Sequence, residues 1–230
     1  MLQLINSLNR FEKLFLIFVT IVNVIGFYFS MTQPDFFRYT YVIEDGLLES
    51  FTAFMLALTG FYCLSQVFRF RKKKSLWFLF CLSCLGIIFL FGAGEEISWG
   101  QRIFNIESSG FFTEHNAQKE MNLHNLTIKT SSGKKLKVNK LIFGTLLGII
   151  LGIYMLILPV LYKKTKFMSD FINKSAVPLA KWAHTLFYLL TFIFINFSTH
   201  SKKGELLEFS GSVVFFLIIM FPKNKKELYK

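Results

Sequence analysis

Six stretches of this chain run apolar almost without interruption: Leu14–Met31, Gly46–Phe68, Ser75–Gly94, Leu141–Tyr162, Trp182–Phe197 and Leu206–Phe221. A helix needs roughly 20 such residues to cross a hydrocarbon core ~30 Å thick. None of the runs alternates apolar and polar residues with the period of a half-buried strand, so the pattern predicts helices. Lipid offers backbone N–H and C=O groups no partner, which leaves helices or closed barrels as the spanning structures. The first run is too long for a signal-peptide core and lacks a small-residue cleavage site, so it predicts a permanent helix. The expected fold is an all-α integral membrane protein, a single transmembrane domain of six helices.

One long polar segment interrupts the pattern, from Ile103 to Lys140. It is too short to fold as an independent domain. Its first half, Glu114–Asn125, predicts a short helix. Its second half, Leu126–Val138, alternates polar and apolar residues around Ser131-Ser132-Gly133 and predicts a small β-hairpin.

Composition agrees with the membrane reading. Hydrophobic residues make up 53% of the chain and charged residues only 17%, and a soluble domain of 230 residues has no need of apolar runs this long. The net charge of +12 sits largely in short loops: Arg69-Phe70-Arg71-Lys72-Lys73-Lys74, then Lys163, Lys164 and Lys166, then Lys223, Lys225, Lys226 and Lys230. Basic short loops favour the cytoplasmic side. All three clusters share that side if both termini are inside, with Arg10 and Lys13 at the first. Lys134, Lys135, Lys137 and Lys140 then fall outside, against the trend. The expected location is the bacterial inner (plasma) membrane. No basic patch accompanies a DNA- or RNA-reading motif, so no nucleic-acid partner is expected.

The acids sort the other way. Of the 14 Asp and Glu, only Glu12, Asp170 and Glu227 fall inside. The second run starts with Glu44, Asp45 and Glu49. The third ends with Glu95 and Glu96. The sixth starts with Glu205 and Glu208, just after His200. Acids at helix N-termini are favoured by the macrodipole and as caps, which covers the second and sixth runs. That account fails for Glu95 and Glu96, at a C-terminal end. Ionisable groups in membrane segments usually face the bundle interior, so these ends are expected to meet in one outward-facing site.

Its chemistry has three readings. In the first, Glu120 and His124, one helical turn apart, join Glu95 or Glu96 to hold a divalent metal, Zn, Fe or Mn. Such a metal would activate water against a lipid or lipid-linked substrate, with Glu49 or Glu208 as general base. In the second, the acids carry protons or a cation for a small transporter or channel. In the third, the chain is a non-catalytic accessory subunit whose outer loop binds a partner. Arg102, expected on a similar helix face to Glu95, either neutralises the carboxylates, binds an anionic substrate group, or anchors the interface beside Trp99. Ser98 and Gln101 are candidate supporting groups, His115 a weaker ligand, and His184 a structural residue at the inner end.

Cys63, Cys81 and Cys84 lie within apolar runs and read as packing residues. Gly144, Gly148 and Gly152 form a small-residue stripe suited to helix packing, within the fold or between subunits of a homo-oligomer.

Glu44-Asp45-Gly46 followed by Glu49, then Gly94-Glu95-Glu96-Ile97-Ser98-Trp99-Gly100-Gln101-Arg102, then Asn122-Leu123-His124-Asn125 resembles an uncharacterised family of small bacterial multi-pass membrane proteins. The resemblance implies the multi-pass fold and carries no activity. Two better-known families are similar only in part. The CAAX-type intramembrane proteases place an Arg four residues after a Glu pair, where this chain has Arg102 six after Glu96. The alkaline ceramidase-like hydrolases have paired C-terminal histidines that this chain lacks. Neither set of catalytic residues transfers.

Overall fold

Asn9 starts the first long helix. Its side-chain oxygen accepts from the Glu12 backbone N–H at 2.9 Å, and the Glu12 carboxylate accepts from the Asn9 N–H at 2.8 Å. This reciprocal capping box satisfies two N–H groups that a helix start leaves open. Ser75 does half of the same work for the third helix, its hydroxyl accepting from the Phe78 N–H at 3.2 Å.

The computed structural model describes residues 2–123, 125–129, 135–137 and 146–229. Six helices form the bundle: α1 (Arg10–Thr32), α2 (Leu47–Phe70), α3 (Leu76–Glu96), α4 (Leu147–Lys164), α5 (Trp182–Asn196) and α6 (Gly204–Met220). The first four are long and apolar enough to cross a membrane. At ~1.5 Å per residue, α5 reaches about 22 Å and α6 about 26 Å, both short of a ~30 Å core. Helix α4 carries a π turn at Ile153–Ile157. The cause is Pro159, which has no N–H to give the Met155 carbonyl. Thr185 of α5 supplies the missing donor, its hydroxyl 3.3 Å from Met155 O.

Helix α6 is the core. Phe209 to Ser212, Val213, Val214 and Phe216 to Ile219 are all buried, packed among α1, α2 and α5. Two polar pairs tie α1 to its neighbours: Asn23 Nδ2 donates to Ser210 Oγ of α6 at 2.7 Å, and the Ser30 hydroxyl meets that of Ser198, just past the end of α5, at 2.8 Å. Helices α2 and α3 pack closely because Gly60 faces Gly86.

Contacts sort the loops into two ends. At one, Lys74 Nζ donates to Glu227 O, Trp77 Nε1 donates to Ser175 Oγ, and Lys181 Nζ reaches both Ser7 O and Glu12. The buried His184 belongs here, its Nε2 2.9 Å from Glu12 Oε1. At the other end, Glu44 receives Lys202 Nζ and Gln118 Nε2, each at 2.7 Å.

Several expectations are corrected or limited. The short loop helix is Gly110–His115, and the chain from Asn116 to Leu123 is not helical. Thr127–Lys129 (β1) and Lys135–Lys137 (β2) pair antiparallel, but the expected turn between them lies outside the described residues. Gly148 and Gly152 have nothing within 4 Å of an added Cβ, so they pack against no described neighbour; Gly144 lies outside the described residues.

A Cβ at Gly60 would stand 2.8 Å from the Gly86 carbonyl oxygen and 2.7 Å from Leu90 Cγ. Gly60→Ala should therefore lower the unfolding free energy by about 1–3 kcal/mol, despite alanine's better helix propensity. Gly148→Ala should leave it unchanged or slightly raised. Thermal unfolding in detergent, followed by circular dichroism, compares the two.

Candidate functional site

Helix α3 ends at Glu96, and the next turn is left-handed. Ser98, Trp99 and Gly100 have φ of 47°, 55° and 77°. For the two non-glycine residues this costs on the order of 1–3 kcal/mol each, and it persists only where the surroundings over-determine the backbone. They do so here. The Trp99 indole folds back over Gly94, where a Cβ would meet the ring at 2.9 Å. Its Nε1 donates to Glu95 Oε1 at 2.8 Å, and its ring meets Phe91 edge-on at 5.4 Å. Ser98 is fully buried; its hydroxyl donates to Glu120 Oε2 at 2.8 Å and accepts from Asn122 Nδ2 at 2.9 Å.

The turn sends Arg102 back toward the start of α2. The straight-helix expectation for Arg102 is thereby corrected. Arg102 Nη1 bonds Glu120 Oε1 at 2.7 Å; Nη2 lies 2.6 Å from Asp45 Oδ1 and 3.7 Å from Glu49 Oε1. The Asp45 contact is off the hydrogen-bond axis, so it is an attraction between charges rather than a directed bond. Glu49, in the first turn of α2, also accepts from the Asp45 backbone N–H. Of the three roles open to Arg102, neutralising carboxylates is the one this geometry matches. With three acids around one guanidinium, an anionic substrate group has little to gain there.

Asn116 organises the loop. Its Nδ2 donates to Asn122 O at 2.8 Å and Oδ1 at 2.9 Å, while its Oδ1 accepts from the Gln118 and Glu120 N–H groups. An Asn side chain that serves the backbone in this way replaces helical bonding. Gln101 adds a second tie, accepting from the Met121 N–H at 2.6 Å and donating to Ser108 Oγ at 2.6 Å.

Glu95 and Glu120 are consumed by this scaffold. Glu95 is 4% exposed, and its second oxygen accepts from the Leu123 N–H at 2.6 Å. Glu120 holds Arg102, Ser98 and Asn122 together. The metal expectation gains no support: among the described residues no group of three or more His, Cys, Asp or Glu is arranged to hold a metal ion. Its fourth expected member, His124, lies outside the described residues. His115 stacks on Phe111, and His200 spends Nδ1 on the Lys202 N–H and packs against Phe37.

A second group forms beside the scaffold. Glu49, Glu96 and Glu205 lie close enough to act on the Glu208 carboxyl through their charge. Glu208 itself is exposed. Among the described residues it has no hydrogen-bond or ion-pair partner. The expected Glu49, Glu96 and Glu208 are thus brought together, with Glu49 bridging to Arg102. Asp45 was expected here among the acids that open the second run, whereas Asn116 and Asn122 were not singled out for this site by sequence reasoning. Asn122 had a signal in its motif; Asn116 had none.

No family model, no curated protein and no solved structure matches this chain.

Arg102→Ala should lower stability by about 1–3 kcal/mol, discounted for partial exposure, because it strands Asp45, Glu49 and Glu120 together. Arg102→Lys should recover only part of the loss, since an ammonium cannot span Glu120 and Asp45 as the planar fork does. Chemical unfolding of both variants in detergent measures the difference.

Proposed function

We propose that this chain is a membrane-embedded enzyme whose acidic end acts on a lipid or lipid-linked substrate by carboxylate acid–base chemistry. The observation that carries the reading is Glu208: a carboxyl with open surface and no partner among the described residues, facing Glu49, Glu96 and Glu205 beside the scaffold around Arg102. Everything around Arg102 is spent on position. Glu208 is free to exchange a proton. Two carboxyls at one site can divide the labour of hydrolysis, one taking a proton from water and the other returning one to the leaving group.

The topology that suits this reading has six spans, both termini inside, and the acidic end facing outward in the plasma membrane. Three facts support it. Four helices are long enough to span. The loops carrying the three basic clusters meet at one end and the acids at the other. Helices α5 and α6 run between the same two ends, with α6 shielded from lipid by its neighbours.

A proton or cation transporter is the second reading. The polar pair Asn23–Ser210 favours it, since it lies inside the seam between the two ends.

Purified protein incubated with a bacterial total-lipid extract separates the readings. As an enzyme, the wild type should form a product detectable by mass spectrometry, and Glu208→Gln should slow it about 10²–10⁴-fold, the range for a lost acid–base group. Proteoliposomes that pass protons or cations only with Glu208 intact, and form no product, would sink the enzyme reading and favour transport.

A further inference from the structure

At the end opposite the carboxylates, Lys223 follows α6 in a tightly tied corner. Its backbone N–H donates to Leu179 O at 2.8 Å. Asn224 beside it accepts from the Leu179 N–H at 2.9 Å, and its Nδ2 donates to Val177 O at 3.1 Å and Asn173 Oδ1 at 2.9 Å. Asn173 in turn donates to the Tyr162 hydroxyl at 3.2 Å. The ends of α4, of the Lys166–Lys174 helix and of α6 are thus closed on one another.

The Lys223 ammonium is shut off from solvent and, among the described residues, has no hydrogen-bond or ion-pair partner. The charge that acts on it is a second cation, Lys163 at the end of α4. Burial first, and then the Lys163 charge, hold Lys223 below its ordinary lysine value. An unpaired ammonium out of water costs several kcal/mol, and a like charge adds to that cost. An anion between the two lysines removes both penalties at once.

We propose that a phosphate-bearing anion binds between Lys163 and Lys223 at the basic end of the bundle. Phosphate is the apt chemistry because its several acceptor oxygens can take donors from two ammonium groups. Basic pockets between membrane helices hold anionic headgroups in this way. Lys163 is exposed, and the Lys223 stem is partly so. Rotation of that flexible stem brings the ammonium to the rim. The source of the phosphate is either an anionic phospholipid or free phosphate. The inference is independent of the carboxylate site and of its chemistry.

Thermal stability of the detergent-purified protein tests this, with phosphatidylglycerol, phosphatidylcholine or inorganic phosphate added. The wild type should be stabilised by phosphatidylglycerol and not by phosphatidylcholine. Lys163→Gln and Lys223→Gln should each weaken that binding at least about fivefold, given ~1 kcal/mol per basic residue at an anionic surface. Lys226→Gln, an exposed lysine at the same end, should weaken it less. Stabilisation by inorganic phosphate that competes with the lipid would assign the site to free phosphate; stabilisation by the lipid alone would assign it to a headgroup. Phosphatidylglycerol binding unchanged in both Lys163→Gln and Lys223→Gln, or absent from the wild type, would overturn the proposal. Should Lys223→Gln fail to fold, Lys163→Gln, at an exposed position, carries the test.

Discussion

The acidic end depends on one guanidinium. Arg102 is where three separate parts of the chain meet: the start of α2 through Asp45 and Glu49, the turn after α3 through its own backbone, and the long loop through Glu120. Without a cation there, the carboxylates would repel one another where water is scarce and charge is weakly screened. A guanidinium suits the place because its planar fork can address two carboxylates from two edges. The left-handed turn at Ser98, Trp99 and Gly100 brings Arg102 to these carboxylates.

The same shortage of solvation explains how polar groups are distributed elsewhere. Within the bundle they come in bonded pairs, Asn23 with Ser210 and Ser30 with Ser198. Even the proline in α4 has its orphaned carbonyl met by a hydroxyl from the next helix, Thr185. Charges are pushed to the two ends. At the basic end Glu12 is buried but is held by Lys181 at 2.7 and 2.9 Å, with His184 beside it. Charged groups without any partner among the described residues stand out as functional candidates against this background. Glu208 is such a group at one end and Lys223 at the other.

Much of the fold was legible in the residues. Five of the six apolar runs located their helices to within about four residues, because crossing a membrane demands a length and a composition that the polar segments lack; the start of the fourth lies outside the described residues. The convergence of Glu49, Glu96 and Glu208 was legible for a related reason: ionisable groups at membrane-helix ends turn toward the protein. The loop was not. Glu120 and His124 suggested a helical turn by spacing, yet Asn116 bonds the backbone across that stretch and prevents it. Trp99 sat at the expected boundary but served as the donor that occupies Glu95.

By itself, then, the sequence determined which segments are apolar enough to enter a membrane, and that most acids gather at one end of them and the basic short loops at the other. Those properties depend only on composition along the chain. The tertiary structure decided which carboxylates are spent and which remain available. Glu95, next to Glu96 in sequence, is bound to Trp99 and Leu123, whereas Glu208, from a helix more than a hundred residues later, shares its surroundings with Glu49 and Glu96. The reason is physical: a hydrogen bond depends on direction and distance in space, and a left-handed turn of three residues was enough to redirect every side chain after it.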